Sequence, residues 1–190
     1  MDRQIETKPT KKLRLSYSLI NLWSEGKIEQ ALSTYYHMEQ GLTEAMKSGK
    51  EIHKDIENTI KTAGQLPAYL SPIKLLAPKS EFVLTVPYNE QFDLKAIIDC
   101  LDGKTLYEFK TGVTESLAWS AFHQIPFYFL VCGLSGLEVE KAMLLHYNQH
   151  EKTSDFVQIW NGPRQIERAR NFVDSIAPEI LEFFTKEGLI

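Results

Sequence analysis

Cysteine is scarce in this 190-residue chain: there are only two, Cys100 and Cys132, each inside an apolar stretch. Two lone thiols at that spacing match no zinc or iron–sulfur pattern and supply no disulfide framework. They read as a pair of buried free thiols in a reducing cytoplasm. Long apolar runs are missing too. None reaches the roughly 18 residues of a membrane span, and residues 1–4 lack the apolar core of a secretory signal, so no membrane attachment is expected. An excess of one charge is also absent. A net charge of −4 excludes a protein that coats nucleic acid by charge alone. It leaves room for an enzyme that grips nucleic acid locally and binds cations with carboxylates. Basic residues gather at Lys8, Lys11, Lys12 and Arg14, and again at Arg164, Arg168 and Arg170. Each group reads first as a solvated face and only second as a phosphate track. No internal repeat or low-complexity segment occurs.

What is present is an ordinary globular composition, with 43% apolar, 11% aromatic and 24% charged residues. Residues 1–13 are expected to be a flexible lead-in, and residues 14–190 one domain. Ser16-Tyr17-Ser18 places capping serines before an apolar helical pattern. A second helical stretch covers residues 27–38, and after Gly41 a long helix covers residues 43–63. Gly64, Pro67, Pro72 and Pro78 then make a loop, with one helical turn expected around residues 73–76. The period changes to strands at residues 81–88, 92–101 and 105–111, the last two joined by the Asp102-Gly103 hairpin signal. A helix over residues 116–134 carries Pro126, which is expected to kink it. Strands at residues 139–147 and 156–160 follow. Pro163 opens a last helix to about residue 186. Its apolar stripe (Phe172, Ile176, Ile180, Leu181, Phe183, Phe184) suits packing on the sheet or on another subunit. The expected class is α/β, with a mixed central sheet and an N-terminal helical layer.

One segment carries chemistry. Asp99 lies near the end of an apolar strand, and the hairpin folds the next strand back beside it. Glu108 and Lys110 are two residues apart and leave the same face of that second strand. Asp99 and Glu108 can therefore converge as hard oxygen ligands for Mg²⁺, with a cationic amine alongside. Phosphodiester hydrolysis needs that combination. A solvated strand face would carry the same three residues without chemistry.

Asp99 with Glu108-Phe109-Lys110-Thr111-Gly112, the pattern D-x(8)-E-F-K-T-G, resembles the signature of PD-(D/E)XK nucleases, in the form seen in the RecB-like exonuclease branch. Three further pieces are similar to that branch in the same order. Gly49-Lys50-Glu51-Ile52-His53 resembles its G-x-x-x-H element. Gln124-Ile125-Pro126-Phe127-Tyr128 resembles Q-x-x-x-Y. Ser16-Tyr17-Ser18 resembles an N-terminal S-x-S element. The chain departs from the family in having Ala96 where glycine is common.

The resemblance implies a restriction-endonuclease-like αβββαβ core and a deoxyribonuclease, with DNA repair or recombination as its setting. It implies that His53, Asp99, Glu108 and the backbone carbonyl of Phe109 hold Mg²⁺ or Mn²⁺. Lys110 would orient or deprotonate the attacking water. Gln124, Tyr128, Ser16 and Ser18 would position substrate, with Gln124 and Tyr128 alternatively supporting the metal site. Glu81 is open between an accessory ligand and an exposed strand-end acid. No iron–sulfur cluster is expected, since relatives that carry one use four cysteines. The expected partner is DNA. Helicase motifs are absent, so any helicase or recombination motor would be a separate protein. A homo-oligomer stays open, because some RecB-like enzymes form rings.

Overall fold

The interior is organised by helix α5, Ile125–Leu134, in which every residue from Ile125 to Cys132 is buried. A computed structural model describes residues 12–37, 44–70, 73–111 and 115–189, with the side chains of residues 44–46 and 115–116 left out. Most of the expected lead-in, the break at Gly41 and the Gly112 of the strand motif lie outside the described residues.

The order is β1 (Leu13–Ser16), α1 (Tyr17–Ser24), α2 (Ile28–Tyr35), α3 (Glu44–Ala63), β2 (Lys79–Pro87), β3 (Phe92–Asp102) and β4 (Thr105–Thr111). Then come α4 (Glu115–Trp119), a π-helical turn (Ser120–Gln124), α5, β5 (Lys141–Asn148), β6 (Thr153–Trp160) and α6 (Pro163–Lys186). The six strands form one mixed sheet, as expected. β2 pairs antiparallel with nearly the whole of β3. The opposite edge of β3 is shared: β1 runs parallel to Phe92–Lys95, and β4 joins antiparallel only at Cys100–Asp102. β4 continues parallel to β5, and β5 antiparallel to β6.

β1 is the element the sequence reading omits. Leu13 and Leu15 are fully buried and alternate with exposed Arg14, but a four-residue strand has no local signal strong enough to separate it from a lead-in. Its partner lies some 80 residues on in β3. Ser16 ends the strand and caps α1, its Oγ accepting from the Leu19 N–H at 3.2 Å. The helical turn expected near Ile73 does not form. Lys74 makes an isolated bridge with Gln65, and the N–H groups of Leu76 and Ala77 donate to the Asp102 carboxylate at 2.9 and 2.7 Å.

Two cores flank the sheet. The larger packs α1, α5 and α6 on one face, and it takes in the apolar stripe of α6, with Ile180 and Phe184 at its centre. The smaller lies under α3, where Ile56 and Ile60 meet Tyr107, Phe109, Met143 and Leu145. Cys100 and Cys132 are buried free thiols. Contrary to the expectation of no such run, the helical stretch Leu117–Leu134 is apolar enough to cross a membrane by composition, with a mean hydropathy of 1.3. Within the fold 61% of that window is buried, against α6, β2 and β3, which accounts for its character. Pro126 is the second residue of α5 and lies inside this continuous helical stretch, where it removes a backbone donor. The irregularity falls just before it, as the π turn.

Phe127 fills the larger core with no exposed surface. Phe127→Ala is expected to lower the unfolding free energy by about 3–5 kcal/mol. Leu76→Ala, at a side chain that is 92% exposed, should change it by less than about 0.5 kcal/mol. Urea denaturation of both variants measures the difference.

Candidate active site

The site forms where β3 loses its neighbours. Gly103, at φ +57, turns the β3–β4 hairpin, a left-handed conformation that suits glycine. Pairing runs back from the turn only as far as Cys100↔Tyr107. At the next rung the Asp99 carboxylate takes over, accepting from the Phe109 N–H at 2.8 Å. β1 has already left at Lys95, so residues 96–99 face an opening between β1 and β4. The other edge is interrupted at the same level. Ser80↔Cys100 and Phe82↔Ile98 pair, but Glu81 between them stands at φ +48 outside the ladder. A non-glycine residue in that region is strained, and such strain gathers at functional sites.

α3 brings His53 to this opening, its Nδ1 lying 3.9 Å from Asp99 Oδ2. Gly49 explains the approach. A Cβ there would stand 2.9 Å from Thr111 Oγ1, so glycine lets the helix lie this close to the end of β4 with no shift of the threonine. His53 follows one turn later on the same helix face.

Glu108 is 3% exposed. Its Oε1 accepts from Lys110 Nζ at 2.9 Å and from Gln124 Nε2 at 2.6 Å, and Gln124 Nε2 also donates to Tyr128 Oη at 2.8 Å. Its Oε2 is buried and makes no hydrogen bond among the described residues. Burial raises the pKa of Glu108, and the Asp99 charge raises it further, while Lys110 pulls it down. Asp99 is raised by burial above all, against the Phe109 N–H bond and Lys110. Burial lowers the pKa of His53 and so favours neutral imidazole, the form that ligates metals.

These features fit a hard divalent cation. Two carboxylates, an imidazole and a peptide carbonyl are suitable donors, and an unshared buried carboxylate oxygen is a group that a cation would satisfy. Among the described residues, no three acidic, histidine or cysteine side chains already stand at coordination spacing.

A cleft of about 1170 Å³ opens over Asp99, His53 and Phe109. Lys50, Lys54 and Glu57 line it from α3, Glu81 from β2, and Gln149 and His150 from the β5–β6 turn. Ser48 Oγ bonds Gln149 Oε1 at 2.8 Å across 101 residues of sequence. Glu81 is thus both exposed and at the site. The sequence reading passed over Lys50, Lys54 and Glu57, although their helical spacing with His53 marks one face. No local signal places Gln149 and His150 there.

Other expected residues stand elsewhere. Ser16 caps α1, Ser18 is exposed, and neither lines the cleft. Gln124, in the π turn, and Tyr128, in α5, are buried against Glu108, and neither lines the cleft.

In metal-free protein, folding raises the carboxyl pKa values, so the folded state binds more protons than the unfolded one. Stability should therefore fall as pH rises from the unfolded carboxylate range near about 4 towards the raised folded values. Glu108→Gln removes that cost and should raise Tm at neutral pH in EDTA by about 2–6 °C. Mn²⁺ should stabilise the wild type and not the variant; calorimetry reads both effects. Gly49→Ala should destabilise by about 1–3 kcal/mol through its clash with Thr111. In a Thr111→Ala background the same change should stabilise by up to about 1 kcal/mol, because alanine is the better helix former. A double-mutant cycle of unfolding free energies checks the reversal of sign.

No family model matches the chain, and no curated protein matches it. Solved structures do. An alkaline exonuclease from Laribacter hongkongensis is 13% identical, with a TM-score of 0.54 over 93% of each chain. Its complex with dAMP gives 0.53 at 13% identity, over 92% of this chain and 93% of that one. A phage-related exonuclease from Haemophilus somnus is 12% identical, with a TM-score of 0.51 over 93% of this chain and 97% of its own. At such identities the likeness speaks for architecture alone, and it agrees with the mixed sheet and its helices. The chain has the restriction-endonuclease-like fold of the PD-(D/E)XK nucleases.

Proposed function

We propose that the protein is a metal-dependent nuclease that hydrolyses phosphodiester bonds, acting as an exonuclease on DNA. The observation that carries this reading is the buried Glu108, held through one oxygen with the other unshared, beside Asp99 and His53 where β3 and β4 part. The structural neighbours described as exonucleases, one of them bound to dAMP, support it.

His53, Asp99, Glu108 and the Phe109 carbonyl would hold Mg²⁺ or Mn²⁺. Such an ion, when bound, lowers the pKa of water and offsets phosphate charge. The chain's own groups do the rest. Gln124 fixes Glu108 by donating its amide N–H to Oε1, and Tyr128 accepts from the same amide, so the carboxylate is held through that one oxygen. This favours the supporting role for Gln124 and Tyr128 over direct contact with substrate. The Phe109 N–H holds Asp99 in the same way. Lys110, on the face of Glu108, would orient the attacking water and stabilise charge on the phosphate. Lys50, Lys54 and His150 line the cleft as donors to the backbone phosphates. Contacts of this type carry no base specificity.

Cleavage of end-labelled linear and circular DNA, with Mg²⁺, Mn²⁺ or EDTA, tests the reading against purified Lys110→Ala. Linear DNA should shorten from its ends, circles should survive, EDTA should stop the reaction, and the variant should lose about 10²–10⁴-fold in rate. Cut circles would make the protein an endonuclease with the same site. Equal behaviour of wild type and Lys110→Ala on every substrate would remove catalysis and leave a binding module.

A further inference from the structure

On the outer side of the element that holds Gln124, four planar side chains lie in a row. Trp119 and His123 have ring centroids 4.1 Å apart, and His123 and Phe122 4.8 Å. The Arg168 guanidinium of α6 lies 3.7 Å from the centre of the Phe122 ring. Trp119 and Phe122 are 46% and 49% exposed, unusual for rings flanked by an apolar core. The π turn produces this division. Ser120 and Gln124 face inward and are buried, while Phe122 between them faces out.

Beyond Phe122 and Arg168 a groove of about 440 Å³ leads to Trp160, at the end of the edge strand β6, with Gln158 and Gln165 along its walls. Trp160 is 61% exposed and has Lys141 Nζ 5.6 Å from its ring centre. Arg164 is exposed on the first turn of α6, with Glu167 as the acid on the same stretch.

We propose that this strip is a second binding site, for the unpaired nucleotides of a single strand. Alternating flat rings and cations suit that ligand. Each base offers a π face to stack on Trp119, Phe122 or Trp160, and the linking phosphates meet Arg168, Arg164 and Lys141. Three cations, Arg164, Arg168 and Lys141, lie along the strip, although the chain as a whole carries a net charge of −4. A single strand sets one phosphate beside each stacked base, and that repeat of ring and anion matches rings interleaved with arginine and lysine. The proposal rests on the nuclease reading for its purpose, which is to retain the strand beside a site built into the same π turn. It does not need that reading in order to be tested.

The probe is a fluorescein-labelled 20-mer of thymidine, titrated in EDTA so that nothing is cut, with anisotropy and tryptophan quenching as readouts. Wild type should bind with quenching. Phe122→Ala, Trp160→Ala and Arg168→Ala should each weaken binding by about 5- to 150-fold, the range for loss of one stacked base. Circular dichroism serves as the control for folding. Hydrolysis of bis-p-nitrophenyl phosphate by the same variants with Mn²⁺ should match wild type, because that small diester does not reach the strip. Unchanged affinity in all three variants would overturn the proposal. A shift to smaller oligomers in light scattering, with affinity intact, would overturn it in favour of a self-interface. Loss of diester hydrolysis in Lys110→Ala together with intact 20-mer binding keeps the two readings separate. If Lys110→Ala hydrolyses normally, the nuclease reading falls while the binding result still stands on its own.

Discussion

A buried carboxyl group, Glu108, is held beside the half-buried Asp99, and the remaining features of the site accommodate that arrangement. Burial raises the pKa of both groups, and the Asp99 charge raises that of Glu108 further. An isolated buried carboxylate pair of this kind is unfavourable. The fold offsets part of the cost with bonds aimed at particular oxygens: the Phe109 N–H on Asp99, and Lys110 and Gln124 on Glu108. Among the described residues it gives Glu108 Oε2 no hydrogen-bond donor. Stability is given up there for a group that a cation would satisfy, a common trade at catalytic sites.

The secondary structure is arranged to make this opening. A regular sheet would have closed residues 96–99 with backbone bonds, and β1 and β4 avoid this by covering only the two ends of the same edge. α3 comes down over the gap because Gly49 permits it. On the opposite face the apolar helix before β5 changes from π to α hydrogen bonding at Gln124, so Gln124 reaches Glu108 while Trp119 and Phe122 turn out to solvent. π turns occur often at functional sites. Here the turn supplies an inner contact and an outer aromatic strip at once.

Much of the site was legible beforehand, for identifiable reasons. The spacing of Glu108 and Lys110 fixes a shared strand face, and Asp102-Gly103 returns β4 next to β3, so Asp99 and Glu108 had to approach. β4 and α6 form with the bounds their patterns imply. What escaped the reading depends on contacts between distant segments. β1 exists because β3 offers it an edge. Glu81 enters the site through a left-handed residue that no propensity announces. Ser16 serves as a helix cap, a role its position before an apolar helix already suggested.

Local order, then, was set by the sequence itself: the alternation of strands and helices, the hairpin, and the residue types able to bind a cation and polarise a phosphate. Periodicity and turn chemistry act over a few residues and need no partner. Tertiary structure decided where the ladder stops, which carboxylate oxygen stays unshared, and that Gln124 and Tyr128 face inward. It also brought Gln149 of a distant turn onto Ser48 of α3. Burial and hydrogen-bond completion are properties of the assembled chain, since each requires neighbours from segments far apart in sequence.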